Sequence, residues 1–130
     1  LADALRHATV ALAATGTVTL ECAWFGVPTV ALYKTSKLTY ALGRRIVTVK
    51  FLAMPNLLAD EMVMPEFVQD AATPEALAAA ALEFFHSPER RSHVRNKLRQ
   101  VTQSLGTPGA ARRAAKAILS LEARLSGPEL

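Results

Sequence analysis

Cysteine is nearly absent from the chain, because Cys22 is the only one among 130 residues. A single thiol excludes an intramolecular disulfide framework and a zinc site built from several cysteines, and it is typical of a reducing compartment. Long apolar runs are also lacking. The two most apolar windows, Ala8–Ala14 and Ala76–Leu82, are far shorter than the roughly 20 residues that cross a bilayer. These absences favour a soluble protein of the cytoplasm.

Apolar residues, by contrast, are plentiful, at 51% against 20% charged residues. A chain this apolar buries enough surface to offset the entropy lost on folding, which excludes intrinsic disorder. Its 130 residues fit one ordinary domain and are too few for a two-domain enzyme. The chain starts at Leu1 rather than methionine, and Leu1–Leu5 has the pattern of a helix already under way. We therefore expect it to be a piece of a longer protein.

The first half of the chain has the pattern of a parallel α/β fold. Val10–Ala14 and Pro28–Tyr33 are continuous apolar runs, which are typical of strands buried on both faces of a parallel sheet. Val18–Phe25 between them has helical character and stops at Gly26, a residue suited to cap a helix C-terminus. Strand, helix and strand in this order predict a βαβ unit.

Two further elements are predicted before residue 72, namely a helix over Leu38–Val47 and a short extended piece over Val49–Met54. Two or three strands are fewer than the roughly five or six of a doubly wound sheet. We therefore predict an α/β fold in which residues 1–72 form the second half of a Rossmann-like domain with two to three parallel strands. Val10–Ala14 would then lie at an open sheet edge, which favours pairing with a second copy of the chain or a domain swap.

Residues 73–130 are predicted to be the C-terminal helices of the same domain. Thr73-Pro74 and Ser87-Pro88 each place a capping hydroxyl before a proline, which is a common start of a helix. Gly106–Gly109 then breaks the chain ahead of a third helix. The apolar side chains expected on the inner faces are Leu77, Ala81, Phe84 and Phe85, then Val94, Leu98, Val101 and Leu105, then Ala111, Ala115, Ile118, Leu121 and Leu125.

The sharpest candidate site is Thr15-Gly16-Thr17, between the first predicted strand and its helix. Glycine lets a ligand approach the backbone, and the helix start offers unpaired N–H groups and the positive end of the dipole to a phosphate. A plain turn with Thr17 as N-cap explains the same residues. Glu21, one helical turn further on, is suited to accept both hydroxyls of a ribose, or is an ordinary solvated glutamate.

Other residues give weaker signals. The histidines His7, His86 and His93 have no partner at the spacing of a metal site or a catalytic triad, so we predict neither a metal nor a cofactor. Trp24 and Phe25 are most simply core residues. Nothing in these positions adds a catalytic group to the turn at Gly16.

Longer motifs around that turn carry a resemblance. Ala13–Glu21 followed by Gly26–Val30 resembles the nucleotide-sugar half of GT-B glycosyltransferases, and most of all the lipid-A-disaccharide synthase family, whose motif reads Ser-Gly-Thr-x-Thr-Leu-Glu. Three later segments, Tyr33-Lys34, Met54–Ala59 and Met64–Gln69, are similar to the same family in the same order. With Leu105-Gly106 and the alanine-rich last helix, the resemblance covers nearly the whole chain. The departures are Thr15 for serine, Met54 for leucine, and Asp60 where glycine is common.

The resemblance implies a fold and a set of roles. The fold would be the C-terminal part of a GT-B enzyme, with Thr15, Gly16 and Thr17 on the diphosphate of a UDP-sugar and Glu21 on its ribose. Asn56, Glu66 and Gln69 would face the sugar or nucleotide. From the residues alone, Asn56 is equally a turn residue and Glu66 a helix-start carboxylate.

The reaction that the resemblance implies is the transfer of 2,3-diacylglucosamine from its UDP derivative to 2,3-diacylglucosamine 1-phosphate, with inversion and without a metal. The base and acceptor pocket would belong to a missing N-terminal domain, so we expect the fragment alone to be inactive. Two alternatives stay open: another UDP-sugar enzyme of the GT-B type, and a non-catalytic basic helical module that docks on membrane or nucleic acid.

Charge is distributed unevenly along the chain. Between Arg90 and Leu121 there are eight lysines or arginines and no acidic residue. A solvated helical face explains them, and so does attraction to an anionic membrane, where acylated substrates would lie. Nucleic acid is not expected, because no aromatic platform or known motif accompanies the charge. We predict a peripheral protein on the cytoplasmic side of the inner membrane.

Overall fold

The computed structural model describes residues 1–46 and 49–125, which contain seven helices and three short strands. A single 3-10 turn over Gln69–Ala71 follows the third strand. The elements in chain order are α1 (Ala2–His7), β1 (Ala11–Ala14), α2 (Thr17–Trp24), β2 (Thr29–Tyr33), α3 (Lys37–Ile46), α4 (Met54–Ala59), β3 (Glu66–Val68), α5 (Pro74–His86), α6 (Pro88–Ser104) and α7 (Ala110–Leu125).

The three strands form one open parallel sheet in the order β1-β2-β3. Ala14 lies opposite Leu32, and Tyr33 lies opposite Val68, so the strands end close to one level. Helix α2 packs on β1 and β2, as expected of a βαβ unit. The predicted α/β class, with few parallel strands and a helical tail, is confirmed, and β1 is an edge strand of this sheet.

The third strand is not the one expected from the sequence. Val49–Met54 is wrong as an extended piece of the sheet, because residues 49–53 form irregular backbone and Met54 already begins α4. The N–H groups of Leu52 and Ala53 bind the Glu66 carboxylate instead of a neighbouring strand. Glu66–Val68 takes the place beside β2. The predicted end of the α3 helix at Val47 lies outside the described residues.

One hydrophobic core joins the sheet to the helices. Val30 of β2, Phe84 of α5 and Leu98 of α6 are all fully buried in it, and Cys22 of α2 belongs to the same cluster. Helix α6 lies against α2, α4 and α5. The first two C-terminal helices therefore share the core of the α/β half.

Several residues expected in the core are exposed. Trp24 is 61% exposed, and Phe85 is 54% exposed. Each follows a fully buried neighbour, Ala23 or Phe84, and successive residues of a helix point about 100° apart, so both cannot face the same core. Phe25, by contrast, is half-buried against the core, as expected.

The helical tail begins as predicted and ends differently. Thr73 caps α5 by accepting from the N–H of Ala76, and Ser87 caps α6 by accepting from the N–H of Arg90. Helix α7 follows the Gly106–Gly109 break as predicted, but its expected inner face is exposed along 110–122, as is Leu105 before it. The break at the positive-φ glycines carries α7 away from the core. In the described ranges no helix is long and apolar enough to span a bilayer.

Candidate functional site

The carboxyl ends of the three strands meet along one edge of the sheet. Thr15 follows β1, Lys34 and Thr35 follow β2, and Gln69 follows β3. The Thr15 N–H also donates to the Leu32 carbonyl, which ties this loop to the end of β2. Ligands of open parallel sheets bind beyond the carboxyl ends of the strands. This edge is therefore the candidate site.

Gly16 has a backbone conformation that only glycine adopts easily. Its φ of 138° and ψ of −161° lie outside the regions open to other residues. Gly16 is the N-cap of α2 and Thr17 is its first helical residue, so the alternative in which Thr17 caps the helix is wrong. A Cβ on Gly16 would meet no heavy atom within 4 Å, which leaves open space in front of the turn.

The helix that follows the turn presents its N-terminus to this open space. The first N–H groups of any helix have no partner inside the helix, and the helix dipole places partial positive charge there. The Thr17 side chain is exposed at this end, and Glu21 is exposed one turn further along α2. The spacing of four residues places Thr17 and Glu21 on the same side of the helix. If an anionic group of a ligand bound at the turn, Glu21 could reach a neighbouring group of the same ligand.

Gln69 joins the ends of two strands. Its side-chain amide accepts from the N–H of Thr35 at 2.8 Å and donates to the Thr35 carbonyl at 3.0 Å. Gln69 itself has a positive φ of 54° and is buried. The residue therefore holds the loop after β2 beside the loop after β3.

The side chains of Asn56 and Glu66 are hydrogen-bonded to each other behind the sheet edge. The Asn56 amide donates to the Met64 carbonyl and to the Glu66 carboxylate, both at 2.7 Å, and accepts from the Met64 N–H. Asn56 is fully buried. Direct contact with a ligand would therefore require helix α4 to move. Glu66 also accepts from the N–H groups of Leu52 and Ala53, both at 2.9 Å.

Thr19 belongs to the segment that carries the family resemblance, but it was not among the predicted site residues. It is fully buried on α2, and its hydroxyl donates to the Gly16 carbonyl at 2.7 Å. The same oxygen accepts from the N–H of Met54 at 3.3 Å. A threonine three residues after the turn glycine, within an otherwise apolar helix face, was the available signal.

The predicted residues thus fall into two groups. Thr15, Gly16, Thr17 and Gln69 lie along the carboxyl edge of the sheet with Glu21 one turn away, whereas Asn56 and Glu66 form part of the support behind the edge. Their contacts with a ligand stay predictions. The described residues contain no group of three His, Cys, Asp or Glu side chains placed to hold a metal ion.

Asp60 is the C-cap of helix α4, at a position where the related motif has glycine. Asp60 has φ 50° and ψ 26°, the left-handed conformation that glycine adopts freely and that aspartate tolerates better than most residues. The departure therefore keeps the backbone of a glycine cap. The Lys50 ammonium binds both the carbonyl and the carboxylate of Asp60.

Comparison with known proteins finds one family over nearly the whole chain. The profile of the family described as lipid-A-disaccharide synthetase matches residues 2–120. The chain is 43% identical to the lipid-A-disaccharide synthase of Cellvibrio japonicus, 40% identical to that of Syntrophus aciditrophicus and 34% identical to that of Persephonella marina. Each comparison covers 92% of this chain and 31% of the relative, so the chain spans about a third of the length of these proteins.

Proposed function

Because the chain belongs to the lipid-A-disaccharide synthetase family, we propose that the full-length protein transfers a diacylated glucosamine from its UDP derivative to diacylated glucosamine 1-phosphate in lipid A biosynthesis. The observation that carries the proposal is the Gly16 turn, an open backbone cradle at the N-terminus of α2 on the carboxyl edge of a parallel sheet. These residues are proposed to bind the UDP-sugar.

The turn and the helix after it bind different parts of the UDP-sugar in this proposal. The pyrophosphate is held by Thr15, Gly16 and Thr17, and Glu21 accepts hydrogen bonds from the ribose hydroxyls on the exposed side of α2. As the glycosidic bond breaks, negative charge develops on the departing UDP. The helix N-terminus and the backbone N–H groups stabilise that charge, and their orientation is set before the reaction begins.

Asn56, Glu66 and Gln69 complete the proposed set that faces the sugar or nucleotide. Their hydrogen bonds within the protein fit a role in shaping the loops that enclose the ligand. We propose inversion at the anomeric carbon without a metal. The base and the acceptor pocket are proposed to lie outside these 130 residues, with the nucleotide-sugar region over 1–72 and its C-terminal helices over 73–130.

The reaction itself is tested with the full-length protein, acylated UDP-glucosamine and acylated glucosamine 1-phosphate. Disaccharide formation that releases UDP is expected. Transfer only to soluble acceptors would favour another UDP-sugar enzyme of the GT-B type. Absence of UDP binding, together with salt-sensitive binding to polyanions, would favour a non-catalytic basic module.

Replacing Glu21 with alanine is expected to weaken UDP binding by about tenfold, since a hydrogen bond to a charged group contributes about 1.5–3 kcal/mol. Calorimetric titration of the full-length protein measures the change. Glu75→Ala is the matched control, because Glu75 is also an exposed glutamate near a helix start but lies on α5. Unchanged affinity in Glu21→Ala would remove the ribose assignment.

An aromatic and basic patch supports a second proposal, that the protein binds an anionic membrane surface. Trp24 is exposed beside Arg95 and Arg99, and the three side chains line one shallow pocket between α2 and α6. Neither arginine belongs to an ion pair among the described residues. Tryptophan favours the membrane interface, and arginine favours anionic headgroups. Such binding would place the protein peripherally on the cytoplasmic face of the inner membrane.

The triple substitution Trp24→Ala, Arg95→Ala and Arg99→Ala is expected to lower binding to vesicles rich in phosphatidylglycerol by about tenfold or more, since each basic residue adds about 1 kcal/mol. Co-sedimentation at two salt concentrations measures the loss. Lys37→Ala serves as control, because Lys37 is exposed at the start of α3. Binding that ignores lipid charge and salt would contradict the proposal.

The edge of β1 supports a proposal on assembly. Leu12 of this strand is 53% exposed, and β1 pairs only with β2 among the described residues. We propose that, in the 130-residue chain, this edge pairs with a strand of a second copy or exchanges with it. A stable, dilute monomer of the 130-residue chain in light scattering would count against this arrangement.

A further inference from the structure

We infer that Thr19 is a positioning residue, whose hydroxyl fastens the segment Leu52–Met54 to the Gly16 turn and so sets the geometry of the nucleotide site. The inference rests on the proposed function, because the turn it positions is the proposed pyrophosphate cradle. Thr19 itself is fully buried and has no surface on which to touch a ligand.

The hydroxyl of Thr19 makes two bonds in different directions. Toward its own helix it donates to the carbonyl of Gly16, which already accepts from the Thr19 N–H at 3.1 Å. Toward the neighbouring segment it accepts from the N–H of Met54. The second bond spans 35 residues of sequence and links two elements, whereas the first repeats a contact that the backbone also makes.

The segment that Thr19 holds lacks a cap of its own. Met54 begins α4, and the N-cap residue Ala53 has no side chain able to accept a hydrogen bond. Three consecutive N–H groups are instead bound by other elements: Thr19 accepts from Met54, and Glu66 accepts from Leu52 and Ala53. Thr19 and Glu66 thus anchor the start of α4 between α2 and β3.

Loss of the Thr19 hydroxyl therefore disturbs the connection between α2 and the start of α4 more than it disturbs α2 itself. In Thr19→Val the shape of the side chain is kept and the Thr19 N–H still binds the Gly16 carbonyl, so α2 keeps its first turn. The Met54 N–H loses its partner, and the segment it belongs to is released from the turn. Released backbone beside the cradle lowers affinity for UDP, because more of it must be ordered on binding.

The test uses the full-length protein, with UDP titrated calorimetrically and steady-state kinetics measured in the UDP-sugar. Thr19→Val is expected to raise the Kd for UDP and the KM about tenfold, the usual size of one buried hydrogen bond, and to change kcat by less than about threefold. Thr19→Ser keeps the hydroxyl and is expected to restore wild-type binding. Thr102→Val is the matched control, since among the described residues the Thr102 hydroxyl bonds only to a carbonyl of its own helix, that of Arg99.

The outcomes separate this inference from the proposed function. A wild-type protein that fails to bind UDP overturns both. Wild-type binding with unchanged Kd and KM in Thr19→Val overturns the positioning role alone. An equal loss in Thr19→Ser and Thr19→Val also overturns it, since the hydroxyl would then not be the cause.

Discussion

Replacing Gly16 with alanine is expected to reduce activity of the full-length protein by about 100-fold, because a strained backbone of this kind costs about 1–3 kcal/mol in a residue other than glycine. At φ 138° and ψ −161°, an alanine would either strain the chain or change the turn. The added Cβ meets nothing within 4 Å, so the effect comes from the backbone and not from a clash. A changed turn moves the N–H groups away from the pyrophosphate.

Gly106→Ala is the matched control for this prediction. Gly106 also has a positive φ, of 90°, and a Cβ added there would likewise meet open space, but this glycine lies in the loop before α7. We expect a similar loss of thermal stability in both variants and a loss of UDP affinity only in Gly16→Ala. Wild-type UDP affinity in Gly16→Ala, measured by calorimetry, would contradict the cradle.

Replacing Glu66 with alanine is expected to lower the free energy of unfolding by about 3 kcal/mol or more, since each donor left unpaired in the interior costs about 1–3 kcal/mol. Three donors lose their acceptor, namely the N–H groups of Leu52 and Ala53 and the side-chain amide of Asn56. Urea denaturation of the full-length protein measures the change. The start of α4 would lose most of its anchorage, so UDP binding is expected to weaken as well.

Glu122→Ala provides the control for that loss, because Glu122 is exposed on α7 and surface substitutions of this kind change stability by about 0.5 kcal/mol or less. Equal stability of Glu66→Ala and Glu122→Ala would show that the bonds to Glu66 contribute nothing. The structural role assigned to the Asn56–Glu66 hydrogen bond would then be wrong as well.

Local signals predicted much of the fold correctly. The apolar runs of β1 and β2, the glycine after α2 and the caps at Thr73 and Ser87 are each decided by a few neighbouring residues. A capping hydroxyl followed by proline needs no distant partner to start a helix. The turn at Gly16 belongs to the same group, since its position between a strand and a helix is visible in the sequence.

Features that depend on distant partners were missed. Glu66–Val68 is a strand of three residues that exists because it pairs with β2, and the Leu52 N–H binds Glu66 rather than a neighbouring strand. Asn56 has the sequence pattern of a turn residue, yet its side-chain amide donates hydrogen bonds to Met64 and Glu66. Long-range hydrogen bonds of this kind leave no periodic signal. Which predicted site residues face the ligand edge and which support it therefore could not be read from spacing.

A crystal structure of the full-length protein with UDP bound tests the proposed nucleotide site most directly. We expect the pyrophosphate to contact backbone N–H groups at Gly16 and Thr17, with the Glu21 carboxylate bound to the ribose. The Thr19 hydroxyl should still accept from the Met54 N–H. A nucleotide bound away from the carboxyl edge of the β1-β2-β3 sheet would contradict the proposed site.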